Sequence, residues 1–247
     1  MDEKLLEKAR DFSADVEEST KEELVSVILY GSAVRGDFIP GRSDLNFLIV
    51  SEKVTEDLLS RLTKPFSKWR KKGIGVPLVL AEDHISKSLD SFPIEFLEMR
   101  SAYEVMKGKD VLKDLEVDLS DLRLQCEREI RGKLIQLRRG YLDSEGKAKN
   151  LEELFRQSVK SFLVIMRSAL RLEEEKVRDF TGLEVISTME KKLGTELKRF
   201  KEIHELRVKD GKIDKSRIHE LFGGYLEEVT ALAEWIDSWA ERGGNSG

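Results

Sequence analysis

An apolar run, Val27-Ile28-Leu29-Tyr30, ends in Gly31-Ser32. After Ala33-Val34-Arg35-Gly36 and a polar turn, Ser43-Asp44-Leu45-Asn46 leads into a second run, Phe47-Leu48-Ile49-Val50. This pair of short runs constrains the chain more than any other feature. Side chains alternate faces along a strand, so residues 44 and 46 project the same way. Two oxygen-bearing side chains then stand side by side at the start of one strand, beside a Gly-Ser turn able to hold a phosphate. The arrangement suits a hard divalent cation and a nucleoside triphosphate. Asn46 is the discordant member, because chemistry with two metal ions favours a carboxylate at that position.

The chain divides into two halves with different patterning. All 4 prolines (Pro40, Pro65, Pro77 and Pro93) lie in the first half, where proline punctuates strands and turns. Short runs at Val25–Tyr30, Phe47–Val50, Val76–Leu80 and Ile94–Met99 read as strands. Between the second and third, Leu58, Leu59, Leu62, Phe66 and Trp69 recur at helical spacing within Thr55–Lys72. Strands alternating with helices predict an α/β or α+β domain. Beyond about residue 118 the periodicity is helical throughout, in four stripes: Leu122 to Tyr141, Leu151 to Ala169, Leu183 to Phe200 and Ile218 to Trp239. Breaks fall at 144–146, 179–182 and 210–211, and four amphipathic helices with short connections read as a bundle. The expected domains are residues 1–115 and 116–243, with 243–247 as a disordered tail.

Composition narrows the partners. With 43 basic and 48 acidic residues the net charge is -5, so no overall positive field draws in nucleic acid, and none is expected as a partner. Lys64, Lys68, Arg70, Lys71 and Lys72 cluster around Trp69, which a helix C-terminus that favours cations explains as well as a polyanion surface does. One cysteine, Cys126, excludes an internal disulfide and fits a reducing cytoplasm, the expected location. No apolar run approaches the ~20 residues of a membrane span, and the charged N-terminus does not read as a signal peptide. Few Asn and Gln beside many Lys and Glu hint at a thermophilic source.

On these residues the first half resembles the nucleotidyltransferase superfamily of DNA polymerase β. Within it, the chain is most similar to small kanamycin-nucleotidyltransferase-like proteins that carry a C-terminal helical bundle. The signature is a strand ending in Gly-Ser, a basic residue and glycine soon after, and Asp-x-Asp at the next strand. Gly31, Ser32, Arg35, Gly36 and Asp44 match it, as does Ser43 before the first aspartate; Asn46 departs from it. The resemblance covers residues 20–105 and implies an α+β chain: an N-terminal nucleotidyltransferase domain with a mixed sheet and helices, then an all-α four-helix bundle. It also implies transfer of a nucleoside monophosphate from an NTP, ATP first, to a small-molecule or protein acceptor, with release of pyrophosphate.

In the family mechanism the first two carboxylates bridge two magnesium ions, for which manganese substitutes, and a third carboxylate comes from a later strand. Here Asp44 and Asn46 take the first two places, and Asp44 and Glu95 are the expected catalytic carboxylates. Glu95 fills the third place because it is the odd polar residue in the apolar run Ile94–Met99, whereas Glu98 reads as solvent-facing. Gly31 and Ser32 are the expected phosphate-binding residues, with Arg35 beside them. Arg128 and Arg131, neighbouring positions on one face of the first bundle helix, are candidate anion contacts, set against a salt-bridged face formed with Glu127 and Glu129. Asn46 leaves the site short of one negative charge. A weak transferase and a pseudoenzyme that serves as a nucleotide-binding or protein-interaction module therefore stay open together. A homodimer would follow the antibiotic-modifying members. Arg199 and His204 have the spacing of an Arg-x-x-x-x-His nuclease motif, but Phe200 follows the arginine where a polar residue is preferred. His84, His204 and His219 read as surface residues with no metal-ligand spacing.

Overall fold

A computed structural model describes residues 2–173, 177, 180–209, 211 and 213–239. The chain splits into two compact units, Met1–Asp118 and Leu119–Gly247. The first is α+β and the second helical.

Unit 1 begins with helix α1 (Glu3–Thr20), N-capped by the Asp2 side chain, which accepts from the Lys4 N–H. Strand β1 (Leu24–Tyr30), the single turn α2 (Ser32–Arg35) and β2 (Asn46–Ser51) follow. Next come α3 (Glu56–Arg70), β3 (Leu78–Ala81), α4 (Glu82–Lys87), α5 (Pro93–Ser101) and β4 (Tyr103–Gly108). The sheet order is β3-β2-β1-β4. Strand β1 pairs antiparallel with β2 and β4, and β2 pairs parallel with β3.

Strict alternation gives the sheet two apolar faces. Val27, Leu29, Leu45, Phe47 and Ile49 pack on Phe12 and Val16 of α1 and on Leu58, Leu62 and Trp69 of α3. Ile28, Leu48 and Val50 pack on the other side against Ile85 of α4, Phe96 and Met99 of α5, and Leu112. Burying an aliphatic or aromatic side chain contributes about 1.5–3 kcal/mol, so the two layers hold β1 and β2 rigidly at the centre of the sheet.

One expected strand is a helix. The run Ile94–Met99 lies in α5, where Pro93 occupies the first turn with Glu95 after it, and Arg100 sits in the last turn. Proline's fixed φ and missing N–H suit that first turn, and the charges complement the helix dipole. The fourth strand of the sheet is instead β4, a few residues further on, which pairs with β1 on the side away from β2.

Unit 2 contains α6 (Leu119–Asp143), α7 (Ala148–Arg171), α8 (Gly182–Leu193), α9 (Lys198–Lys209) and α10 (Ile218–Asp237). The described residues of unit 2 thus form five α-helices, not four: the Leu183-to-Phe200 stripe is broken at Gly194, whose φ of 68° ends α8 in the left-handed region. Tyr225 of α10 lies at the centre of an aromatic cluster, 4.8 Å from Phe200, 5.8 Å from Phe155 and 6.0 Å from Phe162 between ring centroids. The N-terminus of α9 is capped from α10. The Glu228 carboxylate accepts from the N–H groups of Arg199 at 2.8 Å and Phe200 at 2.9 Å. Residues 243–247, and Asp179 and Asp210 within the expected breaks, lie outside the described residues. Among the described residues no helix is long and apolar enough to cross a membrane.

Candidate functional site

The turn after β1 is fixed from three directions. Gly31 takes φ 86°, which a residue with a Cβ adopts only under strain, and its N–H donates to Ala102 O at 2.9 Å, just after α5. Its carbonyl accepts from Val34 and Arg35, which closes the one-turn α2. The Arg35 side chain, 9% exposed, then reaches α5, where Nη2 donates to Ser101 Oγ at 3.0 Å and meets Glu98 Oε2 at 3.3 Å. Asp37 lies 4.0 Å from the other guanidinium nitrogen. Arg35, expected as a phosphate contact, is therefore committed to α5, because an almost buried guanidinium needs a counter-charge.

The loop after α2 closes on itself. Arg42 and Ser43 N–H groups donate to Ile39 O, and Ser43 Oγ accepts from Ile39 N at 3.1 Å. That aims the next residues into the sheet. Leu45 is clamped by the neighbouring chain: its N–H donates to Gly73 O at 2.9 Å and its carbonyl accepts from Gly75 N at 3.0 Å. Since Leu45 packs on the α1–α3 side, Asp44 and Asn46 project to the opposite face, the one that carries Leu48. Tyr30 is the partner of Asn46 across β1, and burial pushes its phenol up from the ordinary value.

Two glycines make room for the Asn46 side chain. A Cβ on Gly31 would stand 3.4 Å from Asn46 Nδ2; one on Gly75 would stand 3.2 Å from Asn46 Oδ1 and 3.3 Å from Asp44 Cβ. The carboxamide thus lies between the Gly-Ser turn and the chain leading into β3, its nitrogen toward the turn. Asp44 is exposed and Asn46 half-buried. The side chains of Ser32, Asp44 and Asn46 make no hydrogen bond or ion pair with another described residue, which leaves three adjoining polar groups open to a ligand. The Gly75 contribution escaped the sequence reading, although Gly73-Ile74-Gly75 before an apolar run was a usable sign of close backbone approach.

Other expected residues fall elsewhere. Glu95 is exposed on α5 and not buried in a strand, and Glu98, read as solvent-facing, is the carboxylate that meets Arg35. No residue from Ile74 to Ala81, the segment beside Asp44 and Asn46, is acidic. Among the described residues no three Asp, Glu, His or Cys side chains gather to hold a metal ion. One carboxylate beside one carboxamide does not fit the pair of divalent ions that the resemblance implies.

In unit 2, Arg131 is tied to Asp237 at 2.6 Å and Glu127 at 3.7 Å, and Arg123 also meets Glu127, a salt-bridged face; Arg128 is exposed. His204, read as a surface residue, is buried against Gly182, and Arg199 pairs with Glu202 and Glu220. In the basic cluster, Lys68 pairs with Asp15, and Lys72 Nζ lies 4.0 Å from the Trp69 ring centroid.

The family model described as a nucleotidyltransferase domain matches residues 10–136. Among solved structures, a spectinomycin adenyltransferase from Enterococcus faecialis, determined with ATP and spectinomycin, is similar with a TM-score of 0.59 and 13% identity, over 94% of this chain and 99% of that one. At that identity the likeness concerns fold. No curated protein matches the sequence.

Proposed function

The chain belongs to the nucleotidyltransferase domain family, and from that premise we propose that it binds a nucleoside triphosphate, ATP first, at the Gly31-Ser32 turn, beside Asp44 and Asn46, as a catalytically impaired member. In this reading it serves as a nucleotide-binding or protein-interaction module. The observation that carries it is the neutral Asn46 beside a neighbouring segment with no acid.

Magnitudes support the impairment. Two divalent ions about 4 Å apart repel by roughly 17 kcal/mol at an effective dielectric of about 20. At the same distance and dielectric, one carboxylate shared between them returns roughly 8 kcal/mol per ion, which about cancels the repulsion. A carboxamide in its place returns only a dipole's attraction. Asp44 alone therefore holds a close pair of dications poorly.

A second reading keeps the family chemistry: slow transfer of a nucleoside monophosphate to a small-molecule or protein acceptor. The intact frame of Gly31, Ser32 and Asp44 favours it, as does the fold likeness to an adenyltransferase determined with ATP and spectinomycin. Expected here are a rise in the unfolding midpoint with ATP, since a ligand that binds only the native state stabilises it, and no pyrophosphate release above background. A shift with no NTP at millimolar concentration refutes nucleotide binding. Steady pyrophosphate release that Asp44→Ala abolishes refutes the impairment and establishes the second reading.

A further inference from the structure

Asn46 does more than leave the site short of a charge. A carboxylate at this position would present only acceptors, whereas a carboxamide presents two N–H donors on one atom. That atom, Nδ2, is the one beside Gly31 at the turn, while Oδ1 points to Gly75. A phosphate seated on the Gly31-Ser32 turn would meet a donor at 46 where a carboxylate would repel it. Across the strand pair, Gly75 adds no side chain, and Val76 and Leu78 (78% and 40% exposed) are apolar. Asp44 is the one negative group of the constellation, and it is exposed to water, which weakens its field.

We propose that nucleoside triphosphate binding at this site is independent of divalent cations, with the Asn46 carboxamide donating to a phosphate oxygen. Metal ions in a carboxylate-lined site are needed in part to join two sets of anions. Here the lining is nearly neutral, so the anion is held by hydrogen-bond donors alone: the Ser32 and Ala33 N–H groups, the Ser32 hydroxyl and the Asn46 amide. This rests on the reading that the turn takes a nucleotide. It also reverses the sign expected of Asp44. In a metal-bridged site Asp44→Ala weakens binding, whereas in a metal-free site it removes the remaining repulsion and tightens it.

The test is calorimetric titration of the full chain with ATP, in excess magnesium and in EDTA, for the wild type, Asn46→Asp and Asp44→Ala. The expected wild-type affinities in the two buffers agree within about threefold. In EDTA, Asn46→Asp weakens binding by about tenfold or more, as loss of a charge-assisted hydrogen bond does, and Asp44→Ala strengthens it. Asp44 is exposed and makes no side-chain contact whose loss would unfold the protein, so that arm stands even where Asn46→Asp folds poorly. More than tenfold weaker wild-type binding in EDTA overturns the inference and leaves nucleotide binding intact, as does weaker EDTA binding by Asp44→Ala. No binding in either buffer overturns the inference together with the reading beneath it.

Discussion

Removing the Glu98 carboxylate should destabilise unit 1 by about 3 kcal/mol, at the low end of what is lost when one partner of a buried ion pair is deleted. The Arg35 side chain is 9% exposed and Glu98 16%, so neither charge is well hydrated. At 3.3 Å the pair attracts by roughly 5 kcal/mol with an effective dielectric of about 20, before the cost of desolvation. In Glu98→Ala the guanidinium keeps Ser101 at 3.0 Å and Asp37 at 4.0 Å, which holds the loss below the upper end of the range. The double variant Arg35→Met, Glu98→Leu removes both charges and keeps the volume. It should lie within about 1 kcal/mol of wild type, because an apolar pair substitutes for a buried ion pair at little cost. Urea unfolding of wild type, the single variants Arg35→Met and Glu98→Leu, and that double variant supplies the coupling energy, expected to exceed about 2 kcal/mol. A loss under about 1 kcal/mol in Glu98→Ala would show that the pair behaves as a surface bridge and would refute the structural role given to Arg35.

Burial pushes the Cys126 thiol up to about 12, opposed weakly by Arg171 and reinforced by Glu129. A thiol reagent at pH 8 should therefore leave native protein unlabelled and react only as urea unfolds it; fast native labelling would contradict the packing of α6. Burial also raises the Glu228 carboxyl above its ordinary value, opposed by the Arg199 and Phe200 N–H bonds. The folded state then holds that proton where the unfolded chain releases it, so stability falls as pH rises from 4.5 through the folded value. Glu228→Gln should flatten that decline in urea unfolding measured from pH 4 to 7, and an unchanged slope would reject the assignment. A Cβ at Gly182 would stand 2.5 Å from His204 Cε1. Gly182→Ala should cost about 1–3 kcal/mol, read by thermal unfolding, since the buried ring must move.

The parts of the site legible in the sequence were those set by local rules. Alternation along Asp44-Leu45-Asn46 places two side chains on one face wherever the run is extended, and Gly31 before Ser32 marks a turn that needs positive φ. Tertiary partners were not legible. Nothing in the spacing of Arg35 and Glu98 announces their ion pair, and the glutamate that looked solvent-facing is the one that is needed. Ile94 to Met99 misled because a short apolar run, with Ile94 and Phe96 alternating with Glu95, reads as a strand as readily as a short buried helix, and Pro93 in the first turn decided between them. The break at Gly194 did carry a signal, lysines at 191 and 192 followed by glycine, the common end of a helix. The apolar stripe running past it hid that end.

Where ATP touches the chain is decisive. In the 15N-labelled protein, titration with ATP should shift the backbone signals of Gly31, Ser32 and Ala33, the Gly75 amide and the side-chain NH2 of Asn46, with saturation at one common affinity. Shifts confined to other residues, or none at millimolar ATP, would contradict a nucleotide site between the Gly-Ser turn and Asn46.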